Sequence, residues 1–137
     1  MTLPLAVLTC VASGDSYDIA SLVREHGQVT IGRDDTNTIQ VGKNLAQSLE
    51  RRKTSSLAED TLKAIMNLPT VSRAHAIIWY DERETGMGFK KGYFIKDIST
   101  KGTRIGNEDL PRHEPAFLRD GAEIYLGNHG PMVFKYL

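Results

Sequence analysis

The stretch Pro69-Thr70-Val71-Ser72-Arg73-Ala74-His75-Ala76-Ile77-Ile78-Trp79-Tyr80 decides how the chain is read. A polar loop carrying Ser72 and Arg73 runs directly into a β-branched and aromatic run, and residues 73–80 read as a largely buried strand. Such a strand is a rigid base for the loop in front of it. Two similar junctions lie elsewhere. Val29-Thr30-Ile31 ends at Gly32-Arg33, and Tyr93-Phe94-Ile95-Lys96-Asp97 leads into Ile98-Ser99-Thr100-Lys101-Gly102-Thr103. Three strands that each deliver hydroxyls or a guanidinium at one end predict a single polar apex on an all-β scaffold. The apex offers donors and hydroxyls rather than acids and nucleophiles, which is the chemistry of an anion site.

Outward from that stretch, strands are predicted over 5–11, 17–19, 28–31, 38–41, 92–97, 103–105, 122–126 and 132–137, separated by Gly, Asp and Asn turns. Residues 81–88 and 106–109 read as turns, and 111–115 as irregular. About ten or eleven short strands with regular turn signals indicate a β-sandwich. Between about 43 and 68 the period turns helical, so this segment is read as a helical insertion. Ser56-Leu57-Ala58-Glu59 has capping-box spacing, and Pro69 ends the helix.

The 137 residues form one domain with an ordinary globular composition, 40% hydrophobic and 25% charged. Seventeen basic residues balance seventeen acidic ones, so no global field points to nucleic acid or to a membrane surface. The single cysteine, Cys10, excludes an internal disulfide and suits a reducing, intracellular compartment, cytoplasmic or nuclear. The opening apolar run is too short to span a bilayer. Scattered histidines (26, 75, 113 and 129) argue against a metal site, and neither a phosphate-cradling glycine loop nor a nucleophile elbow is present. Neither metal nor cofactor is expected. His75 follows Ser72 by three residues, but in a strand that spacing points the side chains to opposite faces, so the pair is not read as catalytic.

Four segments carry a resemblance: Ile31-Gly32-Arg33, Ser72-Arg73-Ala74-His75, 97–103, and Leu118-Arg119-Asp120-Gly121-Ala122-Glu123-Ile124-Tyr125-Leu126-Gly127. Together, in this order and at strand ends, they make the chain similar to forkhead-associated (FHA) domains, a sandwich that binds phosphothreonine peptides. The resemblance implies a non-catalytic phosphopeptide-recognition module, suited to a larger signalling protein such as a kinase. It implies Arg33 and Ser72 as the main phosphate contacts, with Thr100 and Arg73 helping, and His75 as a structural support of the Ser72 loop. Gly32 and Gly102 are read as positions of unusual dihedral or close approach, and Asp97 as the cap of its turn. The physics agrees: phosphothreonine brings about −1.5 to −2 charges and three acceptor oxygens, and arginine offers a planar fork to match them.

The family usually has Asn where this chain has Lys101, and that Asn holds the ligand backbone. Lysine carries only donors, so Lys101 instead adds charge to the phosphate or favours acidic ligand residues. Pro69-Thr70-Val71 supplies no basic residue before Ser72, so aspartate selection from that position is not expected. The alternative reading is a phosphate-independent interaction or self-assembly scaffold using the sandwich face or the inserted helix. Within the insertion, Arg51-Arg52-Lys53 precede Thr54, a pattern many kinases accept, which makes Thr54 a candidate phosphosite and phosphorylation-dependent self-association a candidate behaviour.

Overall fold

The computed structural model describes residues 2–52 and 57–137. Among the described residues eleven strands form two sheets, with the hydrophobic core between them. One sheet contains β1 (Ala6–Cys10), β2 (Ser16–Asp18), β7 (Thr103–Ile105), β8 (Glu108–Asp109), β10 (Ala122–Leu126) and β11 (His129–Tyr136), in the order β2-β1-β11-β10-β7-β8. The other contains β3 (Val29–Gly32), β4 (Ile39–Gln40), β5 (Ala76–Thr85), β6 (Gly88–Asp97) and β9 (Ala116–Phe117), in the order β4-β3-β5-β6-β9. The expected sandwich and strand number are both present.

Alternation sets the two faces. In β6, Tyr93 and Ile95 face the core with Ile31, Ile78, Ile124 and Phe134. Phe94 lies between them, stacked with Trp79 and edge-on to Phe117. Asp97 continues the inward series past Ile95, so a carboxylate is buried at the end of the core. Its position follows from the period alone; its partners define the site described below.

Several boundaries differ from expectation. Residues 81–85 are strand rather than turn: β5 and β6 pair from Ala76↔Asp97 to Thr85↔Gly88, and Gly86-Met87 makes the turn. The polar run read as a loop is instead a solvated hairpin, with Glu82 opposite Lys91. Glu108–Asp109 is likewise a short strand, paired with Arg104 and Ile105. Strand β11 begins at His129, three residues before the strand predicted over 132–137, beside a register irregularity at Tyr125.

Helix α1 (Ile19–His26) was absent from the sequence reading. Asp18 caps it by accepting from the Ser21 amide at 3.1 Å, and that bond holds the carboxyl below its ordinary pKa. Gly27 closes it at φ +82°. Among the described residues the insertion holds helices α2 (Leu45–Arg52) and α3 (Leu57–Met66), followed by a 3₁₀ turn, Leu68–Thr70, that contains Pro69. Ser56 and its expected cap lie outside the described residues. Both helices dock on the β1–β2 loop: Ser48 Oγ donates to Ser13 O at 2.9 Å and Thr61 Oγ1 to Ala12 O at 2.9 Å.

Candidate functional site

The β3, β5 and β6 register, Ile31↔Ala76↔Asp97, brings the end of β3, the segment before β5 and the segment after β6 to one edge. Backbone pairing continues past the formal strand ends. The Arg33 amide donates to Ser72 O at 3.0 Å, Asp34 to Arg73 O at 3.2 Å, His75 to Ile31 O at 2.8 Å, and Ile98 to His75 O at 2.9 Å. The loops are therefore extensions of the sheet.

On this frame the predicted residues converge. Arg33 is exposed; its Nε donates to Val71 O at 3.1 Å, leaving the two Nη groups without a partner among the described residues. Ser72 Oγ accepts from the Thr100 amide at 3.1 Å and lies 3.2 Å from Thr100 Oγ1. The amide occupies one lone pair of Ser72 Oγ, and one of the two hydroxyls donates to the other. An arriving anion can accept from both hydroxyls, exchanging the hydroxyl–hydroxyl contact for two donors. Arg73 and Lys101 are exposed at the rim and form no ion pair among the described residues.

The supporting residues each answer to a distinct physical need. His75 is buried, 0% exposed. Its Nδ1 accepts from the Ser72 amide at 3.0 Å, which assigns the proton to Nε2, donated to Gly102 O at 2.8 Å. Burial pushes its pKa below the ordinary value, with the Gly102 bond and the Asp97 charge opposing. His75 stands just before β5 and outside the regular strand expected at 73–80, with a bend at 73–74 between it and Ser72, so the argument from opposite strand faces does not apply. What separates it from a serine–base pair is that it bonds the Ser72 amide rather than Oγ. Gly32 is required by space, since a Cβ there would run into the Arg73 carbonyl. Gly102 is required by conformation: φ is +94° and the surroundings are open.

Asp97 does cap its turn. Oδ1 accepts from Ser99 N at 3.1 Å, Ser99 Oγ at 2.6 Å and Thr103 Oγ1 at 2.8 Å, and Ser99 Oγ accepts from Gly102 N at 2.7 Å. The whole 97–103 segment is thus folded around one buried carboxylate.

The FHA-domain family model matches residues 29–127. The chain belongs to that family. Solved FHA domains share the fold across nearly all of both chains. The MEK1 FHA domain in complex with a phosphothreonine peptide of HOP1 is 20% identical, with a TM-score of 0.60 over 98% of this chain and 97% of that one. The N-terminal FHA domain of Rad53p from S. cerevisiae, also with a phosphothreonine peptide, is 16% identical, with a TM-score of 0.60 over 97% and 94%. The FHA domain of an Arabidopsis thaliana hypothetical protein is 19% identical, with a TM-score of 0.63 over 100% and 89%. A sequence search among curated proteins finds no match.

In this FHA domain two supporting residues escaped the sequence reading. Asn37 Nδ2 donates to Asp34 O at 2.8 Å and to Arg73 O at 2.5 Å, clasping the Arg33 and Ser72 loops together. Its setting, Asp34-Asp35-Thr36-Asn37, has the composition of an ordinary turn, and nothing local distinguishes a clasp from a turn. Ser99 is the other; its place two residues after Asp97 is the available signal. Thr54 lies outside the described residues. Among the described residues no helix is long and apolar enough to cross a membrane.

Proposed function

We propose that this FHA domain binds phosphothreonine peptides of partner proteins, without catalysis, as a recognition module of a larger intracellular signalling protein. The observation that supports this best is the convergence of the Arg33 Nη groups, without a partner among the described residues, with the Ser72–Thr100 hydroxyl pair on one hydrogen-bonded frame. Arg33 supplies a phosphate fork, Ser72 and Thr100 supply hydroxyl donors, and Arg73 and Lys101 add positive charge at the rim. Gly32, His75 and Gly102 hold the loops. The phosphopeptide complexes of related domains support the ligand class. A chain phosphorylated at Thr54 would carry such a ligand itself, giving phosphorylation-dependent self-association.

Titration of one peptide in phosphorylated and unmodified forms is the test. The phosphorylated form should bind, and Arg33→Ala should weaken it by about 2–5 kcal/mol, tens- to thousands-fold. The fold should survive, because the variant loses only one part-buried bond to a carbonyl, worth about 0.5–1.5 kcal/mol. Equal binding of both forms, or full binding by a folded Arg33→Ala protein, would leave the phosphate-independent scaffold as the better reading.

A further inference from the structure

Strand β6 is paired along its whole length on one side and only near its C-terminal end on the other. Its register with β5 runs unbroken from Ala76↔Asp97 to Thr85↔Gly88. On the far side β9 meets Phe94 and Ile95, and the Leu118 amide donates to Tyr93 O at 2.8 Å. The Tyr93 amide on that side donates to Tyr136 Oη at 3.0 Å. Main-chain groups of a strand alternate sides, so those of Lys91 and Phe89 follow Tyr93 and point away from β5. Neither residue's N–H or C=O has a partner among the described residues. The edge over 88–92 offers two donors and two acceptors at ladder spacing.

Beside this edge lies a cavity of about 970 Å³. Met87, Lys90 and Phe117 line it from the hairpin's own sheet, and Ile105 and Ala122 from the other. Met87 and Phe89 are 73% and 60% exposed. The cavity leaves room for apolar side chains of a strand laid along β6.

Charge selects the occupant. Lys90 and Lys91 are the charged residues of the open edge, and Arg83 stands opposite Lys90 in the hairpin. Lys90 Nζ lies 5.9 Å from the Phe117 ring centroid and Arg83 Cζ 6.0 Å from that of Phe94, so both cations are held on this face. The nearby acids are spent or set apart. Asp81 is 3.8 Å from Arg83, Asp120 accepts from the Tyr136 amide at 2.9 Å, and Glu108 and Glu123 line the cavity from the other sheet. Glu82 stands opposite Lys91, but neither lysine forms an ion pair among the described residues. A second copy of the chain does not fit. The antiparallel register that pairs all four open groups sets Lys90 directly against Lys90 of the copy, and like charges so placed repel. A carboxylate in that place attracts instead, at the kind of pair where side chains stand closest.

We propose that the open β6 edge, residues 88–92, takes an extended acidic segment of a partner protein as an added strand, with a carboxylate opposite Lys90 and apolar side chains in the adjoining cavity. Lys90 is about 20 Å of strand away from Asp97 and the polar apex, so this contact is separate from phosphate recognition and independent of it.

The test follows the amide NMR signals of the full chain during titration with a blocked hexapeptide alternating glutamate and valine, and with its lysine–valine counterpart. At millimolar concentration the glutamate peptide should shift the 88–92 signals and slow hydrogen exchange at the Phe89 and Lys91 amides. The lysine peptide should bind more weakly. Lys90→Glu should weaken the glutamate peptide about threefold to tenfold and strengthen the lysine one. A glutamate peptide N-methylated at every residue cannot pair its main chain and should not bind; this arm stands even if melting shows that Lys90→Glu does not fold. Equal binding of the glutamate and lysine peptides, or of the methylated and plain ones, overturns the proposal. So do the absence of any shift with the glutamate peptide and shifts centred on Arg33 and Ser72 instead of 88–92. A chain that dimerises through 88–92 without peptide makes a second copy the occupant and overturns it as well. Each of these outcomes leaves the phosphothreonine reading as it stands.

Discussion

Replacing His75 with alanine should loosen two site loops at once, and the structure sets the size of the effect. The Ser72 amide and the Gly102 carbonyl each lose their side-chain partner. Both bonds are part-buried, so each orphaned group costs about 1 kcal/mol, the low end for such groups. The emptied ring volume adds about 1–2 kcal/mol. The sum, about 3–4 kcal/mol, should lower Tm by about 10–20 °C in a domain of this size. Acid should act through the same bonds. Nδ1 must stay unprotonated to accept from Ser72, and burial holds the His75 pKa below the ordinary value. His129 is depressed for the same primary reason, with His75 adding to the effect. Below about pH 6.5, the ordinary histidine value, the unfolded chain takes up protons that the folded chain refuses. Stability is therefore full above that pH and falls as pH drops toward the folded pKa values. One such proton gives a slope of up to about 1.4 kcal/mol per pH unit, and two give up to about 2.7. Urea unfolding at a series of pH values between about 8 and about 5.5 measures both quantities. The His75→Ala protein should be less stable at the upper end and should show a shallower slope. A variant as stable as the original, with the same slope, would refute the reasoning.

Two further expectations can be checked with the same protein. Gly32→Ala should cost more stability than Gly102→Ala, because the first drives a Cβ into the Arg73 carbonyl. The second meets open space and pays only for backbone conformation, about 1–3 kcal/mol; thermal melts giving the reverse order would contradict this account. A peptide covering residues 49–60 with phosphothreonine at Thr54 should bind in the micromolar range, about −8 kcal/mol, and lose binding with Arg33→Ala. No detectable binding at millimolar concentration would remove self-association through Thr54 and leave phosphopeptide binding in place.

The parts of the fold readable in the sequence were those written in short-range period. Apolar alternation located β1, β3, β6, β10 and the apolar first half of β5, and each proved to line the core. The helical insertion was readable because β-branched residues thin out over 43–68. The second half of β5 was not. A hairpin with both faces in solvent has no apolar stripe, so Asp81-Glu82-Arg83-Glu84 looks like loop until the register with 89–92 is known. The short strands β8 and β9 fail for a related reason. Two residues carry no period, and each becomes a strand only because β7 or β6 is there to pair with it. Helix α1 did have its local signals, Asp18 before and Gly27 after, but its single turns of apolar spacing, Ile19 and Val23, are too few to stand out.

The candidate site divides along the same line. Residues that would meet a ligand could be picked out by type, because a guanidinium and hydroxyls at strand ends have few other uses. His75, Gly32 and Gly102 were legible as supports, His75 through the family resemblance, but the bonds that run between the loops were not, because their partners are distant in sequence. Asn37 reaches Arg73, His75 reaches Gly102, and the Thr100 amide reaches Ser72. These bonds explain why the ligand-facing groups need no packing of their own. The frame beneath them is polar and satisfied: the Asp97 carboxylate and the His75 ring spend their capacity on loop backbone and hydroxyls, not on solvent. A buried polar group with its partners in place fixes a loop more narrowly than apolar contact does, because departure from the geometry leaves a group unpaired. Ser72 and Thr100 can therefore remain at the surface, open to an anion, without being free to wander. In the proposed site, the ordering of three loops that a phosphate would otherwise have to impose is supplied by these bonds within the chain.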